Sequence, residues 1–193
     1  MTRWLALFLL LAAGATAHAQ PARFEIDPEE LSVGFLVDHL GYQKVLGMFL
    51  KGEGAYTYDE SAGALTDLRI VIDSSSVFTN HRRRDNHLRS PDFLNSSEFP
   101  RLIFTAAGAK RTGERTFVVD GQLELLGKGL PVALNVTVNK SGNYELPGVK
   151  AYVMGVSARG NFKRSAYGMS YGIANGWVGD QVDLILEFEA RRK

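Results

Sequence analysis

Between Pro131 and Asn139 the chain alternates without a break. Val132, Leu134, Val136 and Val138 stand against Ala133, Asn135, Thr137 and Asn139. A period of two places the apolar set on one face of a strand and the small or polar set on the other. The same pattern recurs at Val33, Phe35 and Val37, at Leu68, Ile70 and Ile72, and at Phe117, Val119, Gly121, Leu123 and Leu125. It returns at Tyr152, Met154, Val156 and Ala158, and at Val182, Leu184, Leu186 and Phe188. Strands with one dry and one wet face belong in an antiparallel sheet. Turns fall between them, at Asp59 to Gly63, Arg111 to Glu114 and Gly127 to Gly129. Glycines at 47, 52 and 54, inside the long segment Val45 to Tyr58, predict bulges or bends. The chain shows no repeat and no linker, and it reads as a single all-β domain.

About eight strands, nearly all with one apolar face, need a way to bury those faces. Closure into an antiparallel barrel does so and leaves no edges. A two-sheet sandwich satisfies the same alternation, and the pattern alone does not separate the two. A barrel of this size is filled by its own side chains or holds one small ligand. An outer-membrane barrel is disfavoured: the apolar faces carry few interfacial aromatics and a long charged insertion interrupts the strands.

That insertion, Asn80 to Phe104, does not alternate. It reads as a short helix plus a loop, with a helical insertion around residues 80–95, and Pro91 and Pro100 punctuate the aromatic segment that follows the arginines. The N-terminus has Arg3, an apolar run from Trp4 to Ala15 that is too short to span a bilayer, and a small-x-small pattern at Ala17-His18-Ala19. Residues 1–19 are therefore expected to be a cleaved signal peptide and residues 20–193 the domain. The expected location is periplasmic, or secreted, with no membrane span in the remaining chain. The chain has no cysteine, so stability must come from the apolar core. The formal charge is +1, and without Arg3 it is zero, which gives no electrostatic footprint for nucleic acid. Arg191-Arg192-Lys193 is expected to be a solvated tail.

The residues offer four chemistries. His81, Asp85 and His87 are metal-ligand types within seven residues, but Arg82, Arg83 and Arg84 would repel a cation, and Asp85 is expected to pair locally. A metal-dependent enzyme at these residues is the third-ranked reading. No Gly-x-Ser-x-Gly elbow and no thiol nucleophile is present, so catalysis is not expected. Arg84 and Arg89 carry guanidinium forks that match phosphate or carboxylate oxygens; the competing reading is a solvated helix face. The apolar strand faces are either plain core or the lining of a tunnel. The lining would comprise Phe35, Val37, Ile70, Phe104, Phe117, Val119, Met154, Val156, Leu184 and Leu186.

Asp85-x-His87-Leu88-Arg89-Ser90-Pro91-Asp92-Phe93, then Phe99-Pro100 and Ile103-Phe104, resembles the signature block of the YceI-like family. The likeness extends from Phe24-x-Ile26-Asp27 through Gly121-x-Leu123 to Phe162-x-Arg164 and Val178-Gly179-Asp180. The sequence departs from the family pattern at Leu31-Ser32, where a His-Ser pair is usual, and at Ser165-Ala166-Tyr167, where an acidic residue and Phe usually follow the arginine. The resemblance implies a lipocalin-like barrel that carries a long-chain lipid, polyisoprenoid, quinone-like or fatty, with no other cofactor. His39, Arg84, Asp85, His87 and Arg89 are then expected at the headgroup end. Transient contact with a membrane surface is a further expectation. The second-ranked reading is a ligand-free interaction or stress-response module of the same fold.

Overall fold

The computed structural model describes residues 20–193. The expected signal peptide lies outside the described residues. The strands are β1 (Ala22–Ile26), β2 (Ser32–His39), β3 (Gln43–Phe49), β4 (Gly52–Asp59), β5 (Ala64–Asp73), β6 (Val77–Phe78), β7 (Arg101–Ala106), β8 (Lys110–Arg111), β9 (Thr116–Leu125), β10 (Lys128–Asn143), β11 (Tyr152–Lys163) and β12 (Val178–Arg192). One α-helix, α1 (Arg82–Leu88), lies between β6 and β7.

The sheet is antiparallel and runs β1-β4-β5-β7-β9-β10-β11-β12, and β12 returns to β1. Closure rests on the register Phe24 to Arg192, Glu25 to Arg191 and Ile26 to Ala190. Beyond the closure β12 pairs with β2, β2 with β3 and β3 with β6. Thus β1 with β2, β3 with β4, and β5 with β6 are three long staves, each broken once. With the remaining strands they make an eight-stave up-and-down barrel.

The breaks have local causes. Pro28 follows β1 and offers no N–H to a ladder, while Asp27 Oδ1 accepts the Glu29 N–H at 3.1 Å. Asp73 ends β5 by accepting the Ser75 N–H at 2.9 Å and its hydroxyl at 2.6 Å, which caps a single 3-10 turn at Ser74–Ser76. The backbone stays paired across the breaks: Leu50 N–H donates to Ser76 O at 3.1 Å and Asp73 N–H to Lys51 O at 3.0 Å. The break between β3 and β4 is the bend expected of that glycine-spaced segment.

Alternate staves run in opposite directions, so the connections sort to two ends. The β2–β3 turn, α1 with its following loop, the β9–β10 turn and the 164–177 connection share the upper end. The lower half is largely filled by aromatic rings. Phe24 stacks on Tyr56 at 5.3 Å, Tyr58 meets Phe117 edge-on at 6.2 Å, and Phe188 packs on Tyr56 at 6.4 Å. The Tyr56 hydroxyl reaches Met154 Sδ at 3.4 Å, and burial pushes its pKa up.

Two expectations are corrected. The helix covers only Arg82–Leu88, and residues 89–100 are turns, because Ser90 and Pro91 end the ladder. Arg191 and Arg192 are not a free tail. Their side chains are solvated, but their backbones pair with β1 and close the barrel, while Arg191 binds Asp27 at 2.6 Å and Lys193 binds Glu25 at 2.7 Å.

Candidate functional site

The upper half of the barrel is hollow. A cavity of about 740 Å³ runs from the upper end down to Leu134 and Leu186. Its walls come from inward positions of the alternating strands: Val33, Phe35 and Val37 of β2, Ile70 and Ile72 of β5, Phe104 of β7, Leu123 and Leu125 of β9, and Val182, Leu184 and Leu186 of β12. Phe93, Leu94 and Leu88, from α1 and its loop, cover one side, and Met169 and Phe162 another. The floor is Ile70, Leu134 and Leu186, which also border a void of about 70 Å³ in the lower half.

Glycine sets the positions of two wall rings. Phe35 lies across Gly47 of the neighbouring strand, where a Cβ would sit 2.2 Å from the ring. Phe104 lies across Gly121 in the same way, at 2.3 Å, and there the Thr105 carbonyl is also only 2.6 Å away. Each aromatic ring therefore lies flat against the wall and leaves the middle open.

Six of the ten expected tunnel residues line this cavity: Phe35, Val37, Ile70, Phe104, Leu184 and Leu186. Phe117, Val119, Met154 and Val156 face inward too, but around the small lower void. Alternation assigns a side chain to a face; it carries no information about height. The rings of Tyr56, Tyr58, Phe117 and Phe188 fill the level at which those four sit.

The expected headgroup residues separate into two groups. His39, Arg84 and His87 line the cavity mouth, together with His81 and Arg83. Asp85 is buried behind them and accepts the Thr79 N–H at 2.8 Å and its hydroxyl at 2.5 Å. Arg84 Nε donates to the same Thr79 hydroxyl at 2.8 Å. Arg89 donates to Ser75 O at 2.8 Å and Val77 O at 3.2 Å. Asp85 and Arg89 thus pin α1 to β6 from its outer side. His87 is held by Asp92, Nε2 to Oδ2 at 2.8 Å, and its ring meets Phe93 at 4.9 Å and Tyr171 at 4.8 Å.

His81, Asp85 and His87 do not converge. His81 caps α1, its Nδ1 accepting the Arg84 N–H at 3.2 Å, and the other two point to separate partners. Among the described residues no three His, Asp or Glu side chains gather around one point.

Sequence reasoning left out the most constrained polar group of the site. Arg164, 1% exposed, lies at the cavity wall. Nε donates to Gly179 O at 2.7 Å, Nη1 to Met169 O at 3.0 Å, and Nη2 to Tyr171 O and Val178 O, both at 2.8 Å. Its guanidinium also stacks over Phe93 at 5.7 Å. Burial pushes its pKa down, and nearby Asp180 opposes that. One side chain therefore ties the 164–177 connection, the start of β12 and the cover over the cavity into one unit. The departing residue Ser165 donates its N–H and hydroxyl to Asp180, each at 2.9 Å. The signal available in the sequence was an arginine inside a glycine- and aromatic-rich segment.

Comparison with known proteins gives a consistent result. The family model of the YceI-like domain matches residues 24–190. A UPF0312 protein of Yersinia enterocolitica is 36% identical over 186 residues, covering 95% of this chain and 92% of that one. Protein YceI of Escherichia coli O157:H7 is 34% identical over 183 residues, covering 94% and 91%. Among solved structures, BcnA of Burkholderia cenocepacia superposes with a TM-score of 0.75 at 19% identity, covering 85% of this chain and 98% of that one. A polyisoprenoid-binding domain of Saccharophagus degradans, implicated in plant cell wall breakdown, superposes with a TM-score of 0.62 at 15% identity, covering 90% and 100%. These two likenesses are of fold.

Proposed function

Because the chain belongs to the YceI-like family, we propose that it is a lipid-binding barrel that holds one long apolar chain, polyisoprenoid or quinone-like, in its upper cavity. The observation that carries this reading is the cavity itself. Its volume of about 740 Å³ falls within the range of small-molecule sites, and its wall is almost wholly hydrocarbon. Every buried methylene of a ligand contributes roughly 0.8 kcal/mol. Ten of them would give about 8 kcal/mol before the cost of ordering the chain. Affinity of this kind favours long, water-insoluble molecules and needs no strong polar contact.

The mouth would face the ligand's polar end with His39, His81, Arg83, Arg84 and His87. The polyisoprenoid-binding description of the Saccharophagus domain supports this choice of ligand class. The protein would act by sequestering the chain rather than by chemistry on it, and the N-terminal leader would place it in the periplasm.

The test is native mass spectrometry of protein recovered from its own source, followed by organic extraction. A stoichiometric lipid is expected, and its mass would name the ligand. A clean apo mass, unchanged after incubation with isoprenoid and quinone lipids, would sink the carrier reading and put an interaction module of the same fold in its place.

A further inference from the structure

The rim of the cavity departs from what a solvated barrel end should present. Leu40 and Tyr42 stand on the β2–β3 turn, and Tyr42 is 89% exposed. Trp177, 49% exposed, and Tyr171 stand on the connection opposite. The two loops are one surface: Leu40 N–H donates to Trp177 O at 3.1 Å, and the Tyr171 and Trp177 rings lie 6.4 Å apart. Among the described residues the other exposed large apolar side chains are Leu46, Leu50 and Phe78, on β3, the β3–β4 break and β6, and Leu146 and Val149 at the opposite end; none of these five lies around the opening. An exposed apolar cluster around an opening costs solubility and marks a contact surface.

The charge at this end points to the partner. Arg82 and Arg83 are exposed on the first turn of α1, and among the described residues neither has an ion-pair partner. The acids of the same end are engaged. Asp38 accepts the Gly41 N–H at 2.9 Å, Asp92 holds His87, and Asp180 holds Ser165. Those neutral donors leave the carboxylates charged, but over the upper-end segments 38–42, 80–100, 126–129 and 163–180 the seven bases Arg82, Arg83, Arg84, Arg89, Lys128, Lys163 and Arg164 outnumber the five acids Asp38, Asp85, Asp92, Glu98 and Asp180, so this end is net positive. Tryptophan and tyrosine suit the boundary between headgroups and acyl chains, and basic side chains are drawn to anionic lipid. A second copy of the chain would bring another set of unpaired arginines to the same contact.

We propose that the rim formed by Leu40, Tyr42, Tyr171 and Trp177, flanked by Arg82 and Arg83, docks on an anionic phospholipid surface with the cavity mouth facing the bilayer. This gives the lipid-binding reading above, on which it rests for its purpose, a route: a chain would pass from the membrane into the cavity without crossing water.

The test uses residues 20–193, which hold every strand of the closed barrel and leave Trp177 as the only tryptophan. Vesicles of phosphatidylcholine alone are compared with vesicles of phosphatidylcholine and phosphatidylglycerol by co-sedimentation and tryptophan emission. Binding to the anionic vesicles with a blue shift of Trp177 is expected. Tyr42→Ser and Arg82→Glu, neither of which lines the cavity, should each weaken binding roughly tenfold, with unchanged circular dichroism. Equal binding by both variants, or no emission shift, overturns the proposal. So does a shift that follows protein concentration without vesicles alongside a doubled mass, which would assign the rim to a second copy. Organic extracts separate the two readings. Variants that no longer dock but still carry lipid fit both, whereas a parent protein that docks yet never carries lipid removes the carrier reading and leaves docking intact.

Discussion

Arg164 shows how much one side chain can hold. Its guanidinium is buried without a carboxylate in contact and is satisfied by four backbone carbonyls. Removing it leaves those acceptors without donors at the cavity wall. Arg164→Leu should therefore cost about 3 kcal/mol or more in denaturant unfolding. Arg164→Lys should recover only part of that loss, since an ammonium cannot span the same carbonyls. Asp73 gives a pH-dependent counterpart. Hydrogen bonds from Ser75 hold its carboxyl below the ordinary value of 3.8. Stability from this group is then complete above that value and is lost as pH falls through the lowered folded value. Asp73→Ala should cost about 1 kcal/mol at neutral pH, as loss of a cap does, and should flatten the acid limb of a stability-against-pH series. An unchanged acid limb would show that the cap contributes nothing to acid sensitivity.

At the scale of elements, the cavity exists because neighbouring strands exchange bulk for glycine. Gly47→Ala must move Phe35, and the open space available to the ring is the cavity. The variant should stay folded and lose lipid capacity, which lipid extraction and thermal melting would separate. Gly121→Ala meets the Thr105 carbonyl as well as Phe104. A backbone carbonyl has nowhere to go, so this change should destabilise the protein by about 1–3 kcal/mol. α1 makes a different kind of contribution. A helix of seven residues is too short to persist on its own. It is kept in place by Asp85 on Thr79 and Arg89 on the β6 backbone, which turns its other side toward the mouth.

The lower end of the barrel is closed by a pairing only a few residues long. Ala190 has no exposed surface and sits between Ile26 and Met154 in the ladder. Deleting Ala190–Lys193 removes the pairing of β12 with β1 and exposes two edges at the lower end, while β12 stays paired with β2 above. The truncated chain should melt at a lower temperature by circular dichroism, and an unchanged melting temperature would show that the pairing of β12 with β2 suffices for closure. A cavity that is empty in its upper half should also accept bulk there. Leu184→Trp is expected to lower extractable lipid several-fold while leaving the melting temperature of the lipid-free protein unchanged or higher. Binding raises apparent stability by mass action, so the lipid-bound parent should melt above its extracted form, and the Leu184→Trp variant should not show that difference.

What the chain settled by itself is the part that depends on neighbours in sequence. Alternation at Val132 to Asn139 and its counterparts fixes which side chains face inward, and the turns fix an antiparallel meander, because both arise from the two-residue period of a strand and from local backbone chemistry. The block from Asp85 to Phe93 likewise marked the insertion beside the mouth. Closure over a sandwich was decided in three dimensions, by Ile26 meeting Ala190 across almost the full length of the chain. So was the division of the barrel into an open upper half and a filled lower half. Phe35 and Phe117 alternate with their neighbours in the same way, yet one ring lies across a glycine at a cavity wall and the other packs against Tyr58. Free volume is the difference between what several distant strands enclose and what their side chains fill, and no local pattern encodes that sum. The same holds for Arg164, whose four acceptors come from segments that only the fold brings together.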